Sequence, residues 1–229
     1  MHPASPYCLL LLLALASGTA PAQVTPTANE IIRYTGLHAA AHQGDVTRIA
    51  QLVTAKADIN SRDSYGRTPL HVATFARQRD AIRALSKADA RLDILENDRY
   101  DAVTIASVAD DEDTLRVLLQ LGASAKLMTS RYDGTALIAA AHLGHNGVVR
   151  QLIAAGAPLD HINNLHWTAT IESIVLGNGG PRHQACLQAL IKAGANLKLT
   201  DRQGNTPLQL AKSRGYGEMV KMLEAMGPN

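Results

Sequence analysis

The sequence predicts an all-α solenoid of about six helix-turn-helix units, each followed by a loop. Three markers in step predict it. The first is a helix start, clearest at Thr68-Pro69-Leu70-His71 and Thr206-Pro207-Leu208-Gln209, with looser copies opening at Thr35, Asp101, Thr135 and Thr168. Threonine or aspartate can cap the helix by accepting from the amides that follow, and proline suits the first helical position, where its missing N–H would have no partner. Successive starts lie 33, 33, 34, 33 and 38 residues apart. The second marker is a helix-ending glycine at Gly122, Gly156, Gly194 and Gly227, suited to a left-handed residue. One period back stand Lys56 and Asp89, so the first two copies lack it. The third is a short break inside each unit: Gly44, Gly144, Gly177 and Gly215, with Arg77 and Asp110 at the corresponding places.

In chain order, residues 1–22 read as a signal peptide. Leu9–Ala16 is an apolar run too short to span a bilayer, and Ala20-Pro21-Ala22 has the form of a cleavage site. Residues 23–34 read as an N-terminal capping segment. Thr27 or Asn29 would cap a short helix whose Ile31 and Ile32 cover the first repeat. The repeats follow near 35–67, 68–100, 101–134, 135–167, 168–205 and 206–227. In each, the residues between break and terminal glycine form a second helix. Val148, Val149, Leu152 and Ile153 are its apolar face in one copy, and Met219, Val220, Met222 and Leu223 in another. The 38-residue interval marks an insertion in the fifth repeat, Gly177-Asn178-Gly179-Gly180-Pro181-Arg182-His183, expected as a loop. Lys212, Arg214, Glu218, Lys221 and Glu224 supply the polar outer side that a terminal repeat needs.

The motifs Asp201-Arg202-Gln203-Gly204-Asn205-Thr206-Pro207-Leu208-Gln209-Leu210-Ala211, Gly194-Ala195-Asn196 and Thr68-Pro69-Leu70-His71 resemble the ankyrin repeat family over about residues 27–227. The resemblance implies an ankyrin-repeat solenoid with hairpin-like finger loops. It implies a concave partner-binding surface made by the fingers and the inner helices, and histidines at 38 and 71 that tie neighbouring repeats through the backbone.

Composition excludes several classes. The formal charge is +2, too even to point to nucleic acid. Of the two cysteines, Cys8 falls in the signal segment, leaving Cys186 as a buried helical thiol with no disulfide partner. His38 and His42 share a helix face, but no glutamate follows His38 and no further ligands stand at metal-binding spacing. Asp110-Asp111-Glu112-Asp113 lacks the spacing of a calcium loop and reads as a solvated helix start. No nucleophile elbow, phosphate loop or dinucleotide fingerprint occurs. We therefore expect no catalysis, no cofactor and no metal.

The chemistry that remains is in the loops. Tyr65, Arg67, Arg99, Tyr100, Arg131, Tyr132 and Trp167 fall at finger positions in four consecutive repeats. Tyr, Trp and Arg dominate binding hot spots because each joins a large contact area to a polar handle. Aligned along one edge, they would form a strip for a protein partner; alternatively, each ring packs on the next finger and stiffens it. The expected function is a non-catalytic protein-protein interaction module, exported to the periplasm or beyond, monomeric, and off the membrane once the signal is cleaved. An inhibitor, immunity-type or protective binder of an exported enzyme is the second expectation. Metal or haem handling through surface histidines is the third.

Overall fold

A computed structural model describes residues 24–227; the signal-peptide reading of residues 1–22 lies outside the described residues. The described chain is helical, with one isolated antiparallel bridge between Thr129 and Gly134. Its helices are α1 (Ala28–Arg33), α2 (Gly36–Gln43), α3 (Val46–Thr54), α4 (Pro69–Phe75), α5 (Arg79–Lys87), α6 (Ala102–Val108), α7 (Glu112–Gln120), α8 (Ala136–Leu143), α9 (Asn146–Ala154), α10 (Ala169–Val175), α11 (Pro181–Lys192), α12 (Pro207–Ser213) and α13 (Gly217–Glu224). Even-numbered helices from α2 to α12 pack on one another in one layer, and odd-numbered helices from α3 to α13 in a second. Leu37, Leu70, Val103, Leu137, Leu118, Val148 and Leu152 belong to one core that runs from repeat to repeat. A second cluster, with Ile174, Leu187, Met219 and Leu223, closes the far end. No unit buries its apolar side alone, so stacking forms the core.

All six expected starts are helix caps. The side chains of Thr68, Asp101, Thr135, Thr168 and Thr206 each accept from a backbone N–H of the first turn, whereas Thr35 makes no such bond. Pro69 and Pro207 occupy the first turn. Gly122, Gly156, Gly194 and Gly227 have φ of 92°, 78°, 86° and 94°, and Lys56 and Asp89 take the same left-handed conformation without glycine, at 60° and 63°. The second-helix end thus keeps its shape in all six repeats, at a steric cost in the first two.

Three expectations need correction. The 177–183 insertion is not all loop: Pro181 opens α11, which is 12 residues long, so residues 181–183 form its first turn. The left-handed residue in the turn before it is Gly179. Helix α1 does form, closed by reciprocal bonds between Thr27 and Glu30, but buries no residue, and Ile32 is 80% exposed. Polar groups dock this segment instead. The acidic cluster is not simply solvated either, because Asp111 is buried, caps α7 through Thr114 N–H and lies 3.2 Å from Arg79.

The candidate protein-binding edge

Each finger is built on one polar side chain that precedes the helix cap. Asp63 Oδ1 accepts from the N–H groups of Tyr65 and Arg67 at 2.9 Å each. Glu96, Asn163 and Asp201 repeat the device in their own turns. The turn then closes on its backbone, as where Asp63 N–H donates to Arg67 O and Asn163 N–H to Trp167 O. A short polar acceptor that gathers two amides is the chemistry of an Asx-type turn. The third finger is one residue longer, consistent with the 34-residue interval, and there Thr129 N–H reaches Gly134 O at 2.7 Å. Aligned on the caps, Asp63, Glu96, Asn163 and Asp201 form a column that the sequence displays and that the tetrad alone does not reveal.

The fingers are joined to one another. Asn97 N–H donates to Tyr65 O at 3.0 Å, Ser130 N–H to Arg99 O at 2.9 Å, and Asn164 N–H to Tyr132 O at 2.9 Å. Side chains reinforce the row: Arg99 pairs with Asp133 at 2.8 Å, and Arg131 pairs with Asp98. The result is a continuous edge whose backbone polar groups are largely satisfied internally.

The seven expected residues divide on this edge. Tyr65 is 40% and Tyr132 37% exposed, and Arg99 and Arg131 lie at the surface. Tyr100 and Trp167, next to their helix starts, are half-buried. Arg67 departs from expectation: it is 1% exposed and faces inward. Its guanidinium donates to Asp63 at 2.7 Å, to Glu30 at 2.8 Å and to Val24 O at 3.0 Å, which fastens the N-terminal segment to the finger of the first repeat. Burial alone would raise the Asp63 carboxyl, but Arg67 and the turn amides hold it below the ordinary carboxylate range. The Tyr65 ring lies 4.5 Å from the Arg67 guanidinium and covers its outer side.

His38 and His71, expected to tie neighbouring repeats, instead reach the finger of their own repeat: His38 Nε2 donates to Arg67 O at 2.9 Å and His71 Nε2 to Ile94 O at 3.0 Å. Other histidines join one repeat to the next. His145 donates to Ser107 O, His161 to Asp133 O and His183 to His142 O. Among the described residues no group of three or more His, Cys, Asp or Glu is placed to hold a metal ion. Cys186 is buried, and burial pushes its thiol up to about 12. No described helix is long and apolar enough to cross a membrane.

One further polar group interrupts the inner layer. Glu172 is buried in α10, with Oε1 accepting from Asn163 Nδ2 at 2.8 Å and Oε2 lying 3.5 Å from His142 Nδ1.

The family model for ankyrin repeats (3 copies) matches residues 5–98, 37–129 and 137–228. The chain is 33% identical over 189 residues to the ankyrin repeat protein YahD of Escherichia coli (strain K12), a match covering 82% of this chain and 94% of that protein. The crystal structure of an ankyrin repeat domain from Acinetobacter baumannii is similar, with a TM-score of 0.79 and 43% identity, over 84% of this chain and 98% of that one. So is a chain in the structure of a predatory endopeptidase from Bdellovibrio bacteriovorus in complex with an immunity protein. That match has a TM-score of 0.66 and 27% identity, over 85% of this chain and 99% of that one.

Proposed function

The chain belongs to the ankyrin repeat family, and on that premise we propose that it is a non-catalytic binder of one exported protein, gripping it with the finger edge and the concave face of the inner helices. The observation that carries this reading is the stitched finger row. It holds Tyr65, Arg99, Arg131 and Tyr132 outward on a backbone already ordered by inter-finger hydrogen bonds. Side chains on a fixed frame lose little entropy when a partner docks. Export, with the periplasm as the destination, rests on the sequence of residues 1–22.

Capture of partners from the exported compartment by the tagged protein, followed by mass spectrometry, tests the reading. Tyr65→Ala with Tyr132→Ala should remove the captured protein while leaving the melting temperature within a few degrees. Unchanged capture by the double variant refutes a role for the edge. A sharp fall in melting temperature shows instead that the rings are internal packing.

A second reading, an inhibitor, immunity-type or protective binder of an exported enzyme, is favoured by the likeness to a chain in the endopeptidase–immunity complex. A stable one-to-one complex with a hydrolase, together with loss of that hydrolase's activity on binding, would establish it.

A further inference from the structure

The inner layer carries a carboxylate where every other repeat carries an apolar residue. Four positions after the helix cap stand Ala39, Val72, Ile105, Ala139 and Leu210, and in the fifth repeat Glu172. Glu172 is 5% exposed. Asn163 meets only one of its oxygens. The amide orientation of Asn163 is settled by its other end, since Oδ1 accepts from Leu165 and Trp167 N–H at 3.0 Å each, which leaves Nδ2 to donate. Among the described residues no hydrogen bond reaches Glu172 Oε2; its near neighbour is His142 Nδ1 at 3.5 Å.

Among the described residues no cation balances this carboxylate. The elements packed on α10 are α8, α11 and α12. On α8 the only ionisable side chain is His142, whose affinity for a proton is lowered first by burial and then by His183 and His145. On α11, Arg182 is committed to Asp110 at 2.6 Å and to Gly144 O, His183 to His142 O, and Lys192 lies exposed in the last turn. On α12, Lys212 pairs with Glu224 at 2.7 Å. From the adjoining fingers, His161 donates to Asp133 O and Arg202 to Asn164 O, and His166 is exposed. A buried carboxylate without a counter-charge costs several kcal/mol, so the group holds its proton up to about 7. Two exposed leucines lie near it in the chain or on the facing helix. Leu176, one turn further along, is 43% exposed, and Leu143, next to His142, is 38% exposed.

We propose that Glu172 Oε2, behind the His142 ring, receives the ammonium group of a lysine presented by the partner protein, with the lysine methylenes lying across Leu143 and Leu176. This rests on the protein-binding reading above and names the chemistry of one contact within it. Lysine fits better than arginine because Oε1 is already occupied. A guanidinium fork uses both oxygens of a carboxylate, whereas an ammonium needs one. His142 forms the outer wall, and rotation of its ring admits the cation. The lysine then supplies the charge that the fold withholds, and its arrival expels the proton from Glu172.

The test uses n-butylammonium chloride as the probe and protein labelled with 13C at the glutamate carboxyls. The Glu172 signal is identified by its loss in Glu172→Gln, a variant that keeps an acceptor for Asn163. A carboxylate that binds butylammonium with a dissociation constant of about 50 mM lowers the Glu172 midpoint by about half a pH unit at about 100 mM probe, a threefold change, relative to equal sodium chloride. The Leu143 and Leu176 methyl signals shift in parallel in wild type and stay put in Glu172→Gln. An identical midpoint in the two salts overturns the proposal. So do methyl shifts that persist in Glu172→Gln, which would show apolar contact alone. Because the probe replaces the partner, either failure leaves the finger edge and the capture experiment untouched.

Discussion

Replacing His71 by glutamine should reverse sign in its effect on stability between about pH 7 and pH 4. His71 is buried at the start of α4. Its Nδ1 accepts from Thr68 N–H at 3.0 Å and its Nε2 donates to Ile94 O at 3.0 Å. A second proton on Nδ1 would face a donor, and the buried site disfavours charge, so the imidazole is pushed down from 6.5 to about 4, chiefly by burial. Between these values the unfolded chain binds a proton that the folded chain refuses, so stability falls as the pH drops through this window. It is fully present above about 6.5. The interval, at about 1.4 kcal/mol per pH unit, comes to about 3 kcal/mol. The sixth repeat shows what glutamine does here: Gln209 Oε1 accepts from Thr206 N–H at 2.8 Å. His71→Gln keeps that bond and loses the donor to Ile94 O, at a cost of about 1–2 kcal/mol at neutral pH. At about pH 4 the wild type has lost about 3 kcal/mol through a titration that the variant lacks, so the variant becomes the more stable by about 1–2 kcal/mol. Urea unfolding followed by far-ultraviolet circular dichroism at the two pH values measures both. The difference between the proteins cancels other titrating groups, including Asp63 and Glu172. A difference that stays constant within about 0.5 kcal/mol across the range refutes the reasoning, since it would mean that His71 protonates without penalty.

Two further outcomes follow from buried groups. Arg67→Met should destabilise the protein by about 3–5 kcal/mol in urea unfolding, because it strands Asp63 and Glu30 beside an apolar side chain. It should also speed amide exchange in residues 24–34, which Arg67 fastens through Val24 O. The Cys186 peptide should remain unlabelled by iodoacetamide at neutral pH in folded protein and become labelled in urea, since the thiol is buried and protonated; mass spectrometry of the digest measures it.

The helix starts were legible because capping is local chemistry: Thr68-Pro69 and Thr206-Pro207 carry their reason within two residues. The left-handed ends at Lys56 and Asp89 follow from phase and not from residue type, since neither favours that conformation. The insertion misled because glycine and proline suggest loop, yet Pro181 sits where a helix can begin and lengthens α11. Arg67 misled for a different reason. Arginine at a finger position suggests surface, and the partners that bury it, Glu30 and Val24 O, come from 37 and 43 positions upstream. Glu172 was visible as a break in an apolar column, but only once the column is aligned on the helix caps. Its isolation depends on where Arg182 and Lys212 spend their charges, which no spacing reveals.

The contact of Arg182 with Asp110 joins residues 72 positions apart, skipping the repeat between them. Solenoids flex like springs when each coil touches only its neighbours. Here the fifth coil is hooked to the third, and Tyr216 of the sixth donates to Gly177 O of the fifth at 2.9 Å. An exposed ion pair adds little to stability, so the hook matters for which coils touch and not for how strongly they hold. The row of coils is therefore not a pure nearest-neighbour chain, the arrangement in which stability is a plain sum of unit and interface contributions.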